Sequence, residues 1–155
     1  NDNNDIANKR YVHNQIAASG GGNTYWAQSY VAQMGTSNNW RRFNPSHSGG
    51  TITESNGFFY APVDGHYYVA GHVGMSNGCE DNEAISVRIR FDPGPGGTRT
   101  MAQGVARPGG GNSGTFDIPI HLSNTVWLNA GGYVYMDVRE NCSVAEQIRL
   151  TMFKI

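Results

Sequence analysis

The stretch Gly57-Phe58-Phe59-Tyr60-Ala61-Pro62-Val63-Asp64-Gly65-His66-Tyr67-Tyr68-Val69 decides the fold. Two segments rich in aromatic and β-branched residues, Thr51–Tyr60 and His66–Val73, flank a run that suits neither helix nor strand. That run, Ala61 to Gly65, reads as a tight turn. Pro62 fixes the backbone entering it, and Gly65 supplies a conformation that other residues resist. In the second segment Tyr67, Val69 and Val73 share one face by the period of two, as core residues of a strand should.

The same grammar extends in both directions. Trp26–Met34 and Trp40–Phe43 read as strands before the turn. After it, Ile85, Val87, Ile89 and Phe91 alternate with Ser86, Arg88 and Arg90, a half-buried strand. Asp92-Pro93-Gly94-Pro95-Gly96-Gly97 is a turn that cannot sit inside a sheet. Met101–Val105, Thr115–Leu122, Val126–Ala130 (with an extension open as far as Met136) and Gln147–Ile155 complete the set. About eight to ten short strands with turns at this spacing predict an all-β antiparallel sandwich or jelly roll. Composition agrees: 21 Gly, eight Tyr, six Phe and three Trp among 155 residues, with 15% charged, suit strands and turns rather than helices.

Residues 1–24 differ from the jelly-roll stretch, 25–155. Asp5 can N-cap a short helix over Ile6–Ala18, which Ser19-Gly20-Gly21-Gly22 ends as a joint. About three turns of helix are unstable alone, so this segment needs partners. The first residue is Asn, which points to a processed or excised chain with more sequence upstream. Net charge is −1, and Lys occurs only at Lys9 and Lys154. No clustered basic footprint for nucleic acid is visible, no apolar run approaches a membrane span, and no secretory signal is present.

The Gly57–Val69 segment resembles the second and third strands of the complement C-one-q globular head, within the tumour necrosis factor superfamily. Val69 stands where that family usually has Phe. Thr125-Val126-Trp127-Leu128 is similar to the family's penultimate strand, with Asn124 and Thr125 replacing its usual Gly-Asp. The closing run Leu150-Thr151-Met152-Phe153-Lys154-Ile155 resembles its last strand. The resemblance implies a homotrimer packed around a threefold axis. Ile6-Ala7-Asn8-Lys9-Arg10-Tyr11-Val12-His13-Asn14-Gln15-Ile16 resembles a trimerising element of bacteriophage tail fibres, with His13 where Asp is common. Together these imply a fibre tip on a virion. It would bind a glycan or protein on a host cell surface, as a homotrimer, without enzymatic activity or cofactor. A secreted recognition or coat protein and a structural trimerisation or capping module are the alternatives.

His66 and His72 share a strand face but lie about 20 Å apart, too far for one metal within a chain. Three copies of one His could meet on a threefold axis, though a polar interface histidine is the preferred reading. Glu80-Asp81-Asn82-Glu83 could offer oxygens to calcium but lacks the spacing of a calcium loop, and reads as a solvated loop. No Ser-His-Asp or Cys-His set has telling spacing. If both termini sit at the base, the loops Phe43–Gly50, Gly74–Ala84, Ala106–Gly114 and Asp137–Glu146 gather at the free end. The turns Ala61–Gly65, Asp92–Thr100 and Ser123–Thr125 gather at the base. Arg107, Asn112, Arg139 and Glu140 are therefore the candidate ligand-binding residues. Counting alone leaves Cys79 and Cys142 open to a bridge or to two thiols. In the implied fold they precede and follow antiparallel neighbouring strands at the free end, which favours a disulfide; closing about 60 residues would add roughly 3–4 kcal/mol in the entropic model.

Overall fold

The computed structural model describes residues 25–35, 37–75, 84–106, 120–140 and 145–155. The expected N-terminal helix and joint, Cys79, Cys142 and the acidic run at 80–83 lie outside the described residues. The described residues form eleven strands: β1 (Trp26–Met34), β2 (Ser37–Arg42), β3 (His47–Gly50), β4 (Thr53–Ser55), β5 (Phe58–Tyr60), β6 (Gly65–Met75), β7 (Ile85–Asp92), β8 (Arg99–Ala106), β9 (Ile120–Leu128), β10 (Tyr133–Glu140) and β11 (Ala145–Lys154). They build two antiparallel sheets, one ordered β3-β1-β11-β6-β9 and the other β4-β5-β10-β7-β8, with β2 pairing β10.

Alternation along the strands makes the core. Tyr67, Val69 and Val73 of β6 point inward with Ile148, Leu150 and Met152 of β11, and all are buried. They meet Val87 and Ile89 of β7 and Val134, Met136 and Val138 of β10 from the other sheet. The sheets pack closely at Gly71, where a Cβ would approach the Met136 sulfur to 2.7 Å. The edges of the two sheets also meet, because Asn124 Nδ2 donates to the Met101 carbonyl across β8 and β9.

The opening signature is satisfied polar group by polar group. The Tyr67 hydroxyl is buried and donates to the Val63 carbonyl at 2.7 Å. Asp64 accepts from the Ala130 amide at 2.7 Å, tying this turn to the β9–β10 turn. Ala61 N donates to the Gly132 carbonyl and Gly131 N to the Ala61 carbonyl. Ala61 and Asp64 therefore hold two basal turns together, and the segment's turn chemistry is structural.

Four expectations are corrected. The single strand expected over Thr51–Tyr60 is the hairpin β4–β5, reversed at Asn56-Gly57 with φ of 52° and 83°. Both central residues are left-handed, the pairing that Asn-Gly favours in two-residue hairpins. Ser123–Thr125 is not a turn: β9 runs straight through it, with Ser123, Asn124 and Thr125 paired to Ala70, Val69 and Tyr68. The reversal comes at Asn129–Gly132, so Asp137–Glu140 belongs to β10 and not to a loop. The Phe43–Gly50 segment does not reach the free end either. Phe43 is buried, its amide donates to the Met136 carbonyl, and β3 runs beside β1 toward the base.

The remaining polarity stands. Trp26 pairs Phe153 near one end of the β1–β11 ladder, and Ile155 N donates to the His66 carbonyl, which puts Tyr25 and Ile155 at the base. Met75 pairs Ala145, and Ile85 pairs both Ala106 and Glu140 at the opposite end. The strands leading into and out of Cys79 and Cys142, β6 and β11, are antiparallel neighbours as expected.

Candidate interaction surfaces

The four candidate ligand-binding residues do not form one group. Arg107 and Asn112 lie outside the described residues. Arg139 and Glu140 end β10 and point to opposite faces, as neighbours in a strand must. Arg139 is exposed on the outer face of its sheet, with its guanidinium carbon 4.9 Å from the Trp40 ring centroid. Glu140 is fully buried and ion-paired to Arg41 at 2.7 Å, so it is a core group that no external ligand reaches. Burial pushes its carboxyl up to about 7 against the opposing pull of the Arg41 charge and hydrogen bond. The inward set Val134, Met136, Val138 carries the signal for this placement, since period two puts Glu140 next in line.

Each sheet presents an outer face. On the first, cross-strand pairing stacks residues in rows. Trp26, Phe153, Tyr68 and Thr125 form one row across β1, β11, β6 and β9; Gln28, Thr151, Ala70 and Ser123 form the next. Tyr30, Arg149, His72 and His121 form the third, with His47 beside Tyr30. Tyr68 and Phe153 rings lie 5.1 Å apart, and below them the half-exposed Trp127 meets His66 edge-on at 5.0 Å. Arg149 is the one permanent charge in these three rows.

His72 and His121 face each other with their Nδ1 atoms 3.2 Å apart, close enough for one ring to donate and the other to accept. A shallow cleft of about 420 Å³ opens beside them, lined also by Gln28, Arg149 and Thr151. Burial, then His121 and Arg149, lowers the His72 pKa, since each disfavours the imidazolium. Sequence reasoning missed this pair because breaking β9 at Ser123 hid the pairing of His121 with His72. His66 and His72 do share the outer face, as expected. Among the described residues no group of three or more His, Cys, Asp or Glu side chains could hold a metal ion.

The outer face of the second sheet is built of rings and guanidiniums. Phe58 lies 5.0 Å from Tyr133 and 5.1 Å from Tyr135, both edge-on, with Tyr60 5.8 Å from Tyr133. Arg42 stacks 4.1 Å over Phe58, and Arg88 4.1 Å over Trp40. Arg88 also grips Asp137 with both Nε and an η nitrogen, at 2.9 and 2.8 Å.

Two packed antiparallel sheets with alternating end loops place the chain in a class, the jelly-roll proteins. No protein-family model matches the chain, and no curated protein does. Among solved structures it is similar to murine APRIL in a crystal structure at pH 8.0, with a TM-score of 0.61 and 10% identity over 86% of this chain and 100% of that one. That likeness shows the fold, a tumour necrosis factor-like jelly roll.

Proposed function

We propose that this chain is the receptor-binding head of a trimeric phage or phage-like fibre, acting outside the cell on a glycan or protein of the host surface. The observation that carries the reading is the outer face of the first sheet. Aromatic side chains without permanent charge beyond Arg149 are the composition of an association surface rather than of a solvated one. Three copies packed through this face leave the second sheet and the free-end loops outward. The tail-fibre resemblance of residues 6–16 supplies the shaft, and the fold is one used for binding. Recognition needs no cofactor and no reaction: weak sites repeated threefold gain avidity from their linkage.

The experiment is adsorption of fluorescently labelled protein to a panel of bacterial cells, beside Tyr68→Arg, which puts a charge at the centre of the association face. The native protein is expected to bind at least one strain saturably, and the variant at least tenfold more weakly. Equal binding by the two proteins, or no binding to any strain, overturns the reading.

A further inference from the structure

The outer face of the second sheet has a charge pattern opposite to that of the first. Four arginines, Arg42, Arg88, Arg90 and Arg139, share it with two aspartates. Both aspartates are engaged, Asp137 by Arg88 and Asp92 by the Gly94 amide at 3.1 Å. Among the described residues no carboxylate pairs with the other three arginines. Arg42 donates to the Asn56 carbonyl and stacks on Phe58, Arg139 stacks on Trp40, and the Arg90 Nε is buried without a hydrogen-bond partner. Ring stacking holds two of these guanidiniums in place while leaving donor edges unspent, which limits the side-chain entropy lost on binding an anion.

The order of groups along β10 sets the chemistry. Tyr133 and Tyr135 come first, flanked by Tyr60 and Arg90. Asp137 follows between Arg42 and Arg88, and Arg139 beside Trp40 ends the strip. Ring faces and guanidinium forks thus share one strip across the flat of the sheet. We propose that this flank binds an acidic polysaccharide. Arg42, Arg90 and Arg139 take sugar carboxylates, and the tyrosine rings take the apolar faces of the sugars between them. Arginine forks match carboxylates bidentately, and tyrosine offers a ring face with a hydroxyl at its edge. A phosphodiester polymer fits less well, because the strip has no lysine and the whole chain is slightly acidic. The proposal names the ligand class for the surface-recognition reading above and rests on it for its biological setting.

Calorimetric titration of the whole chain with short polyuronate oligosaccharides (alginate fragments) tests the site. Dextran fragments of equal length and polyphosphate serve as comparisons. Polyuronate is expected to bind, weakening as salt rises, and dextran to bind at least tenfold more weakly. Arg42→Gln with Arg139→Gln should lose at least tenfold in polyuronate affinity while circular dichroism and melting stay unchanged, and Arg99→Gln, at an exposed arginine that starts β8 outside the strip, should bind as the native chain does. A milder pair, Arg42→Lys with Arg139→Lys, keeps the charge but loses the fork and should fall between. Equal affinity of native and double-Gln chains, equal binding of dextran, or tighter binding of polyphosphate overturns the site. Short fragments occupy one protomer at a time. A monomer that binds them leaves the site standing and removes the trimer; a trimer that ignores them removes the site alone.

Discussion

Gly57 holds φ at 83°, and a Cβ there would press into the Phe43 carbonyl oxygen. Both the left-handed backbone and the close approach exclude a side chain, so Gly57→Ala should cost about 2 kcal/mol or more. A denaturant midpoint unchanged by that substitution would mean that the β4–β5 turn is not built this way. Tyr67 and Glu140 show two fates of a buried polar group. Tyr67 donates to Val63, and Tyr67→Phe should cost about 1 kcal/mol, the net value of one such bond. Glu140 has Oε1 on Arg41 while Oε2 is buried without a partner, so its charged form is disfavoured. Its carboxyl titrates near 7 when folded and near 4.5 when unfolded. Between those values the folded chain holds the extra proton, so this group makes stability rise as pH falls from 7 to 4.5. Melting of Glu140→Gln across that range should lack this rise, and parallel pH curves for variant and native chain would contradict the burial of the charge.

Strands β6 and β9 meet at the His72–His121 pair, and there the sign reverses. Folding lowers the His72 pKa below 6.5, so the unfolded chain protonates first on acidification. The contribution is intact above pH 6.5 and is lost as pH falls through 6.5 toward the folded value. His72→Gln should therefore lose less stability than the native chain between pH 7 and 5.5, as read by thermal melts. Which elements were legible follows from their chemistry. The body of β7 is readable because Ile85, Val87, Ile89 and Phe91 alternate without interruption, and the limits of β1 and the body of β6 and β11 because they are rich in aromatic and apolar residues. β9 was cut at Ser123-Asn124-Thr125 because three small polar residues look like a turn; in the sheet they lie on an edge strand, where polar side chains face water at little cost. Asn56-Gly57 did carry a hairpin signal, but the strong aromatic run after it drew the reading toward one long strand. At the candidate site, Arg139 and Glu140 looked alike as a polar pair, and the period of two that separates them was legible only once β10 was extended past Met136. The ring and guanidinium strip was not legible, because it assembles from β2, β5, β7 and β10, which are distant in sequence.

At the scale of the whole molecule, two sheets enclose one core and turn two unlike faces outward. One face is aromatic and nearly uncharged, and the other carries four arginines against two aspartates, both already engaged. A single copy exposes Trp127 at 49% and leaves the Tyr68 and Phe153 rings half-buried, so the first face gains from a partner that removes it from water. The second face repels its own copies and suits an anionic ligand. Light scattering of the chain at micromolar concentration and neutral pH tests association through the first face most directly. The account predicts a single species of three times the 16.8 kDa chain mass; a species of one chain mass would contradict it.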